Sequence, residues 1–329
     1  MATFIGSAEN QDIVLSSSSG GFFSSIVCYV QENISDDAYI VGVVWQEDFK
    51  GVRHLCSNKK DDWEKMKTSK YIQSDKGEVL LKVEELLNND KVVLFTGTPC
   101  ETAGLKSFLK RQYTNLITID FICKGPTTPK AQAEYVTHLE KKFKSSVTGI
   151  NMRYKWKQID NFIPQFIKVS FKSKHNFIKE FYQTEIGHAF RFMQRPSCYS
   201  CKYCENNYVS DITIGDYHGE KRDKAYYNRF GTSIIMPRTA MGKKIVQDMI
   251  DQHYFVGYEV EGKEALEKNT GDRISLTIRE NYVVEMVRTG SVIAARRLIP
   301  FKEKIKLVLP KWVSRKLFYA KHMLVEWRR

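Results

Sequence analysis

The sequence predicts a mixed α/β (α+β) fold with a partly parallel sheet, flanking helices, a cysteine-rich cluster loop and a helical C-terminal extension. Short apolar runs alternate with amphipathic helical patterns up to residue 147, and strand patterns without long helices follow. The last residues combine cations with large apolar side chains. Alternating strands and helices favour parallel pairing, because a crossover helix returns the chain to the same edge of the sheet.

The N-terminal half supplies the alternation of strands and helices. Apolar runs predict strands at Ala2–Ala8, Ile13–Leu15, Tyr39–Trp45, Lys91–Phe95 and Leu116–Ile122. Apolar residues at helical spacing predict helices at Gly20–Glu32, Glu78–Leu87, Glu101–Lys110 and Pro129–Phe143.

The C-terminal half changes character. Strands are predicted at Gly149–Tyr154, Ile163–Phe171, Phe177–Phe181, Asp211–Ile214 and Ser233–Met236. Helices are predicted at Met241–Gln252 and Ser275–Leu298.

The net charge of +13 is concentrated at the C-terminus. Residues 291–329 hold 11 Lys and Arg against Glu303 and Glu326, a net of +9. A nucleic-acid-binding protein more often carries its charge on the main domain. We therefore expect no nucleic-acid partner.

The seven cysteines need a chemical reason, because a chain of 329 residues with 42% hydrophobic residues can bury a core without covalent staples. No signal peptide or membrane-spanning run is recognisable, so a cytoplasmic location is expected. In a reducing compartment, clustered cysteines indicate metal or redox chemistry rather than disulfides.

Three cysteines form a C-x2-C-x2-C pattern: Cys198, Cys201 and Cys204. This spacing suits both zinc and iron–sulfur sites. Cys100 and Cys123 each follow a predicted strand, at the edge where ligands bind in open α/β sheets. Cys28 and Cys56 fall in a helix and an apolar run, where a core role is expected.

Two segments resemble phosphate-binding turns. Ser16–Gly21 opens a helix, and the free N–H groups of a helix start attract phosphate; this makes Ser18, Ser19, Gly20 and Gly21 candidates. Thr98 lies in a similar strand-to-helix turn. The alternative for both is ordinary helix capping.

Two further segments carry candidate cofactor residues. Ser69, Lys70 and Tyr71 combine a hydroxyl, a cation and an aromatic ring, which suits a cofactor phosphate and ring, or else a solvated loop. Asp216 ends a predicted strand, as a functional carboxylate or as a turn residue.

These motifs occur in the order typical of the coenzyme F-420 hydrogenase/dehydrogenase beta-subunit family, which residues 1–245 resemble. The segments are Ser18-Ser-Gly-Gly21, Ser69-Lys-Tyr71, Gly97-Thr-Pro-Cys100, Cys123-x-Gly125, Arg195-x-Ser-Cys198-x-x-Cys201 and Ser210-Asp-Ile-Thr-x-Gly215-Asp216. The resemblance implies FAD, a 4Fe–4S cluster and electron passage between them and a second substrate. It favours Cys100 as the fourth cluster ligand, whereas local spacing favours Cys204.

The resemblance also implies a domain over residues 1–285 that combines flavin and iron–sulfur sites, and a setting in cell-surface polysaccharide biosynthesis. Coenzyme F-420, a nucleotide-linked sugar and a small unsaturated metabolite are open as substrates. The ferredoxin-like region common in the family does not precede the serine run, which predicts a separate ferredoxin-like electron donor. The alternative function is a redox-inactive assembly protein with a structural zinc.

Three positions depart from the family pattern. Glu101 stands where Gln is usual, Lys124 where His is common, and His218 where Trp is usual. These departures leave the predicted cluster cysteines unchanged, and they concern the part of the pattern that is expected to bind the flavin.

Residues 286–329 are predicted to form a basic amphipathic helical extension. From residue 311 onward, Trp312, Phe318, Leu324 and Trp327 can share one helical side with cations beside it. Such a helix can lie in the interface of an anionic membrane, here peripherally at the inner face. Docking on the domain or on a partner protein is the alternative.

Membrane contact predicts that the full-length protein co-sediments with anionic vesicles at low salt and that a version ending at Pro310 does not. Each basic group near the surface adds about 1 kcal/mol of attraction. Equally poor sedimentation of both versions would leave docking as the role of the helix.

Overall fold

The computed structural model describes residues 2–156, 165–203, 207–219, 224–267 and 276–298. The strands are β1 (Thr3–Ala8), β2 (Tyr39–Trp45), β3 (Val52–Ser57), β4 (Val93–Gly97), β5 (Leu116–Phe121), β6 (Val147–Tyr154), β7 (Phe166–Phe171), β8 (Asn176–Glu180), β9 (Ile212–Asp216), β10 (Ser233–Pro237) and β11 (Phe255–Val260). The helices are α1 (Gln11–Ser16), α2 (Phe22–Asn33), α3 (Lys60–Met66), α4 (Val79–Asn88), α5 (Pro99–Leu109), α6 (Pro129–Phe143), α7 (Glu185–Phe192), α8 (Pro196–Tyr199), α9 (Ala240–Asp251), α10 (Gly262–Glu267), α11 (Leu276–Thr289) and α12 (Ser291–Leu298).

Eight strands form one sheet in the order β11-β1-β10-β9-β5-β4-β2-β3. The four strands β2, β4, β5 and β9 pair in parallel, and the pairs at both sides of them are antiparallel. The predicted partly parallel α/β architecture is confirmed. The carboxyl ends of four strands therefore meet at one edge of the sheet.

Helices cover both faces of this sheet because its strands bury alternate side chains on each face. Leu94 belongs to the same core as Ile26 of α2 and Ile245 of α9, whereas its neighbours Val93 and Phe95 belong to a second core with residues of α4 and α5. The central strands are buried on both sides, as parallel sheets generally are.

A second sheet, antiparallel in the order β6-β7-β8, has its own core with α6, α7, α11 and α12. Tyr135 of α6, Ile167 of β7, Tyr282 of α11 and Ala294 of α12 are fully buried in this core. The predicted boundary between residues 285 and 286 falls inside α11.

Two predicted elements differ from the structure. Residues Ile13–Leu15 belong to helix α1 rather than to a strand, because Asn10 caps a helical turn by accepting from Asp12 N at 2.9 Å. The predicted helix Ser275–Leu298 is divided into α11 and α12 at Gly290, whose φ of +85° ends a helix.

Among the described residues, no helix is both long and apolar enough to cross a membrane. The predicted interfacial segment, from residue 311 onward, lies outside the described residues. Its membrane contact stays a prediction.

Two helical glycines provide a matched test of the packing between α9 and the sheet. A Cβ at Gly242 would lie 2.1 Å from the Asp211 carbonyl oxygen, whereas a Cβ at Gly104 of α5 would meet nothing within 4 Å. We expect Gly242→Ala to lower the free energy of unfolding by about 1–3 kcal/mol. Gly104→Ala should raise it by about 0.5–1 kcal/mol, because alanine favours helices. Urea unfolding of both variants measures this, and a stabilised Gly242→Ala would contradict the packing.

Candidate functional site

Chemically active side chains follow three neighbouring parallel strands. Cys100 follows β4, Cys123 follows β5, and Asp216 is the last residue of β9. In open α/β sheets, ligands bind at this carboxyl edge. The structure thus brings residues that are far apart in sequence to one edge of the sheet.

Cys100 lies in the first turn of α5. Thr98 and Glu101 form a capping box around this turn, in which Glu101 Oε2 accepts from Thr98 N at 2.8 Å. The Thr98 hydroxyl lies 3.2 Å from Cys100 Sγ. The N-terminal turn of a helix carries a partial positive charge, so the position suits a sulfur ligand.

Cys123 and Cys198 meet at Gly125. The Gly125 N–H donates to Cys123 Sγ at 3.3 Å, and a Cβ at Gly125 would lie 3.0 Å from Cys198 Sγ. The φ of Gly125 is +99°, a conformation that glycine adopts readily. Burial raises the pKa of the Cys123 thiol to about 12. The Cys-x-Gly motif therefore brings two thiols together.

Arg195 connects Cys198 to Cys100. Its Nη2 donates to Cys100 Sγ at 3.7 Å, its side chain also bonds to that of Cys198, and its carbonyl accepts from Cys198 N at 2.9 Å. The predicted ligands Cys100, Cys123 and Cys198 are thus neighbours. Sequence reasoning named Arg195 only as part of a motif and gave it no role.

The remaining cysteines divide into two groups. Cys201 follows α8 in the same loop, and Cys204 lies outside the described residues. Cys28 and Cys56 pack against the cores around α2 and α4, as predicted. Within the part of the chain that the structure describes, no three His, Cys, Asp or Glu side chains converge closely enough to hold a single metal ion.

A charged group lies beside Cys100. Glu101 Oε1 accepts from Ser74 Oγ at 3.0 Å and pairs with Lys76, while Oε2 lies 4.0 Å from Nε2 of the buried His54. Burial opposes ionisation of Glu101, but His54 and Lys76 outweigh it and hold its pKa below the ordinary value. Burial lowers the pKa of His54, and Glu101 partly offsets this.

Arg153, which sequence reasoning missed, bonds to three of the residues predicted to bind the flavin. Its side chain is 4% exposed, and its Nη1 bonds to Asp216 Oδ2 at 2.7 Å and to the Tyr71 hydroxyl at 2.9 Å. Its Nη2 donates to the Ser18 carbonyl at 2.8 Å. Burial would raise the pKa of Asp216, but Arg153 outweighs it and lowers that pKa. The signal for Arg153 in the sequence was a cation within an apolar strand pattern.

The serine loop is fixed by its neighbours. Ser18 Oγ accepts from Ser69 N at 2.7 Å, and Ser19 Oγ donates to the Thr232 carbonyl at 2.9 Å. A Cβ at Gly20 would lie 2.5 Å from the Gly6 carbonyl oxygen, so glycine is needed there for packing against β1. Gly21, with φ +94°, is the N-cap of α2, which has no side-chain cap.

Lys70 lies next to this loop but is bound to its own turn. Its Nζ donates to the carbonyls of Met66, Lys67 and Thr68 at 3.2, 2.9 and 3.2 Å. Burial lowers its pKa to about 7. In this structure Lys70 caps the end of α3, and its predicted bond to a cofactor phosphate stays a prediction.

The two sites are joined by the segment 123–127. Tyr71 O accepts from Thr127 N at 2.9 Å, so the strand-like segment after Ser69 runs beside the chain that leaves Cys123. Lys124 and His218 both lie within the electrostatic reach of Asp216. Burial lowers the pKa of each, and Asp216 partly offsets this.

An α/β domain with thiols and a buried ion pair at its carboxyl edge is a framework suited to redox cofactors. The chain belongs to the family described as the C terminus of the beta subunit of coenzyme F420 hydrogenase/dehydrogenase, whose model matches residues 90–262. Membership indicates a beta-type subunit of redox enzymes and supports a general oxidoreductase assignment.

The fold is also found in a solved hydrogenase structure. One chain of the F420-reducing hydrogenase complex from Methanosarcina barkeri superposes with a TM-score of 0.56 and 15% sequence identity, covering 86% of this chain and 93% of that chain. At this identity the likeness shows the fold alone. No curated protein sequence matches the chain.

The Arg153–Asp216 pair predicts a stability that depends on pH. With Arg153 present, the lowered pKa of Asp216 stabilises the fold at neutral pH, and this contribution is lost as pH falls through that pKa. Arg153→Met leaves a largely buried carboxylate without its cation, so we expect a loss of about 3 kcal/mol at pH 7. Because the pKa of Asp216 then rises above its ordinary value, the loss should shrink in acid.

Urea unfolding at several pH values measures this effect, and the double variant Arg153→Met/Asp216→Asn is the control. The double variant should recover part of the loss at pH 7, because neither of the two substituted residues then carries a charge. A loss that is independent of pH and equal in both variants would contradict the ion-pair explanation.

Proposed function

We propose that the protein is a flavin- and 4Fe–4S-dependent oxidoreductase that relays electrons between a cluster and FAD to reduce a small substrate or coenzyme. The observation that carries the proposal is the gathering of Cys100, Cys123 and Cys198 from three separate parts of the chain. Membership of a redox-subunit family supports it. The alternative of a cofactor-free protein with a structural zinc is an outcome of the experiment below.

The thiols fit a cluster chemically. They are soft donors, which suit iron–sulfur centres, and coordination deprotonates a thiol even where burial opposes ionisation, as at Cys123. Bound there, a cluster would supply one-electron transfer. Cys100, Cys123, Cys198 and Cys201 would hold it, and Cys204 is the alternative to Cys100.

Some of the predicted flavin residues lie together, as a ligand site requires, and others do not. Ser18, Ser69, Tyr71 and Asp216 come together around Arg153, which supports their assignment to one site. Gly20 and Lys70 make contacts within the protein that explain their presence without a cofactor. FAD held by these residues would supply two-electron chemistry.

Partner and substrate follow from the same proposal. The similar chain comes from a multi-subunit hydrogenase complex, which supports a partner protein as the electron donor. Coenzyme F-420 is a candidate substrate through the family name. The polysaccharide setting and the cytoplasmic location stay predictions.

The visible spectrum of protein purified without oxygen tests the proposal, together with assays of flavin, iron and sulfide. Flavin bands and a broad brown absorbance from the cluster are the expected result. Colourless protein that contains zinc would contradict the proposal and favour the assembly role.

Single Ser substitutions test the ligands. Cys100→Ser, Cys123→Ser and Cys198→Ser should each lower the iron and sulfide content severalfold, because serine is a poor ligand for iron–sulfur centres. Cys56→Ser is the matched control, since Cys56 is a partly buried cysteine in β3, and it should keep full iron. Full iron in Cys198→Ser would overturn the assignment, and near-normal iron in Cys204→Ser would select Cys100 as the fourth ligand.

A further inference from the structure

One guanidinium bridges two thiols that belong to different elements. Arg195 Nη2 donates to Cys100 Sγ at 3.7 Å, and the Arg195 side chain also hydrogen-bonds to Cys198. Cys100 is held by α5 after strand β4, whereas Cys198 lies in the short helix α8. Arg195 therefore ties the edge of the sheet to the cysteine loop.

One N–H donor of the Arg195 guanidinium is not used in these contacts. Arg195 Nε is buried and has no hydrogen-bond partner among the residues that the structure describes. A buried donor without an acceptor costs about 1–3 kcal/mol, so an acceptor is expected at this point. Sulfide of a bound cluster is an acceptor of the right kind.

The loop that carries Arg195 is itself held in place. Gln194 O accepts from Arg279 Nε of α11 at 2.6 Å, and Cys198 N donates to the Arg195 carbonyl at 2.9 Å. A charged side chain on a fixed backbone moves little when the charge of its neighbours changes. The backbone that carries the guanidinium is thus held by the fold.

We propose that Arg195 positions Cys100 and Cys198 as cluster ligands and stabilises the reduced state of the cluster. The inference rests on the proposed function, because it requires a bound cluster. Reduction transfers one electron from the donor to the cluster and adds one negative charge beside the guanidinium. Hydrogen bonds to the sulfurs and a nearby cation then raise the reduction potential.

Arg195→Gln and Arg195→Lys test this, with Arg191→Gln as the matched control. Arg191 is an exposed arginine of α7 that lies over the Phe192 ring, and its substitution changes the net charge equally. After anaerobic reconstitution, iron and sulfide are assayed, and the midpoint potential is measured by titration with dithionite followed by electron paramagnetic resonance.

In Arg195→Gln, we expect the equilibrium constant for one-electron reduction to fall about tenfold, which is about 59 mV. Arg195→Lys should fall less, because it keeps the charge but loses the fork of donors. Arg191→Gln should keep the wild-type potential. Loss of iron from Arg195→Gln that Arg195→Lys restores also supports the positioning role.

Full iron and an unchanged potential in both Arg195 variants would overturn the inference and leave the proposed function intact. Equal shifts in Arg195→Gln and Arg191→Gln would also overturn it, because net charge alone would then explain the effect. Wild-type protein that binds no iron on reconstitution would overturn the proposed function and the inference together.

Discussion

A guanidinium that is 4% exposed needs acceptors on several sides, and Arg153 finds them in three distant parts of the chain. Asp216 comes from the end of β9, Tyr71 from the segment after α3, and the Ser18 carbonyl from the loop before α2. Arg153 itself belongs to β6 of the smaller sheet. Since an unpaired buried charge would cost several kcal/mol, these bonds stabilise the observed contact between the two sheets.

The parallel strands determine where the thiols lie, and one segment of the chain connects the thiols to the group of residues around Arg153. The segment from Cys123 to Thr127 leaves the thiols and pairs with the backbone at Tyr71, whose hydroxyl bonds to Arg153. Electron transfer between two centres requires that they be close and fixed. The segment shared by both sites connects them directly, which supports the proposed relay.

The sequence predicted the strands and helices whose patterns are local. Pro129–Phe143 has its predicted bounds, because a proline at the first turn and a clear apolar face define it. The division at Gly290 was missed, since only tertiary packing distinguishes a tolerated helical glycine from one with positive φ. The cysteine positions could be predicted from strand ends and spacing. The roles of Arg153 and Lys70 could not, because long side chains choose partners far away in the sequence.

The charges around Cys100 explain how the chain accommodates Glu101 where the family usually has Gln. An added carboxylate beside Cys100, a proposed cluster ligand, would by itself disfavour a reduced, more negative cluster. Lys76 pairs with Glu101 directly, and the Thr98 N–H and the Ser74 hydroxyl donate to its oxygens. The negative charge is thereby balanced within its own group. Arg195 is a cation that donates directly to the Cys100 sulfur.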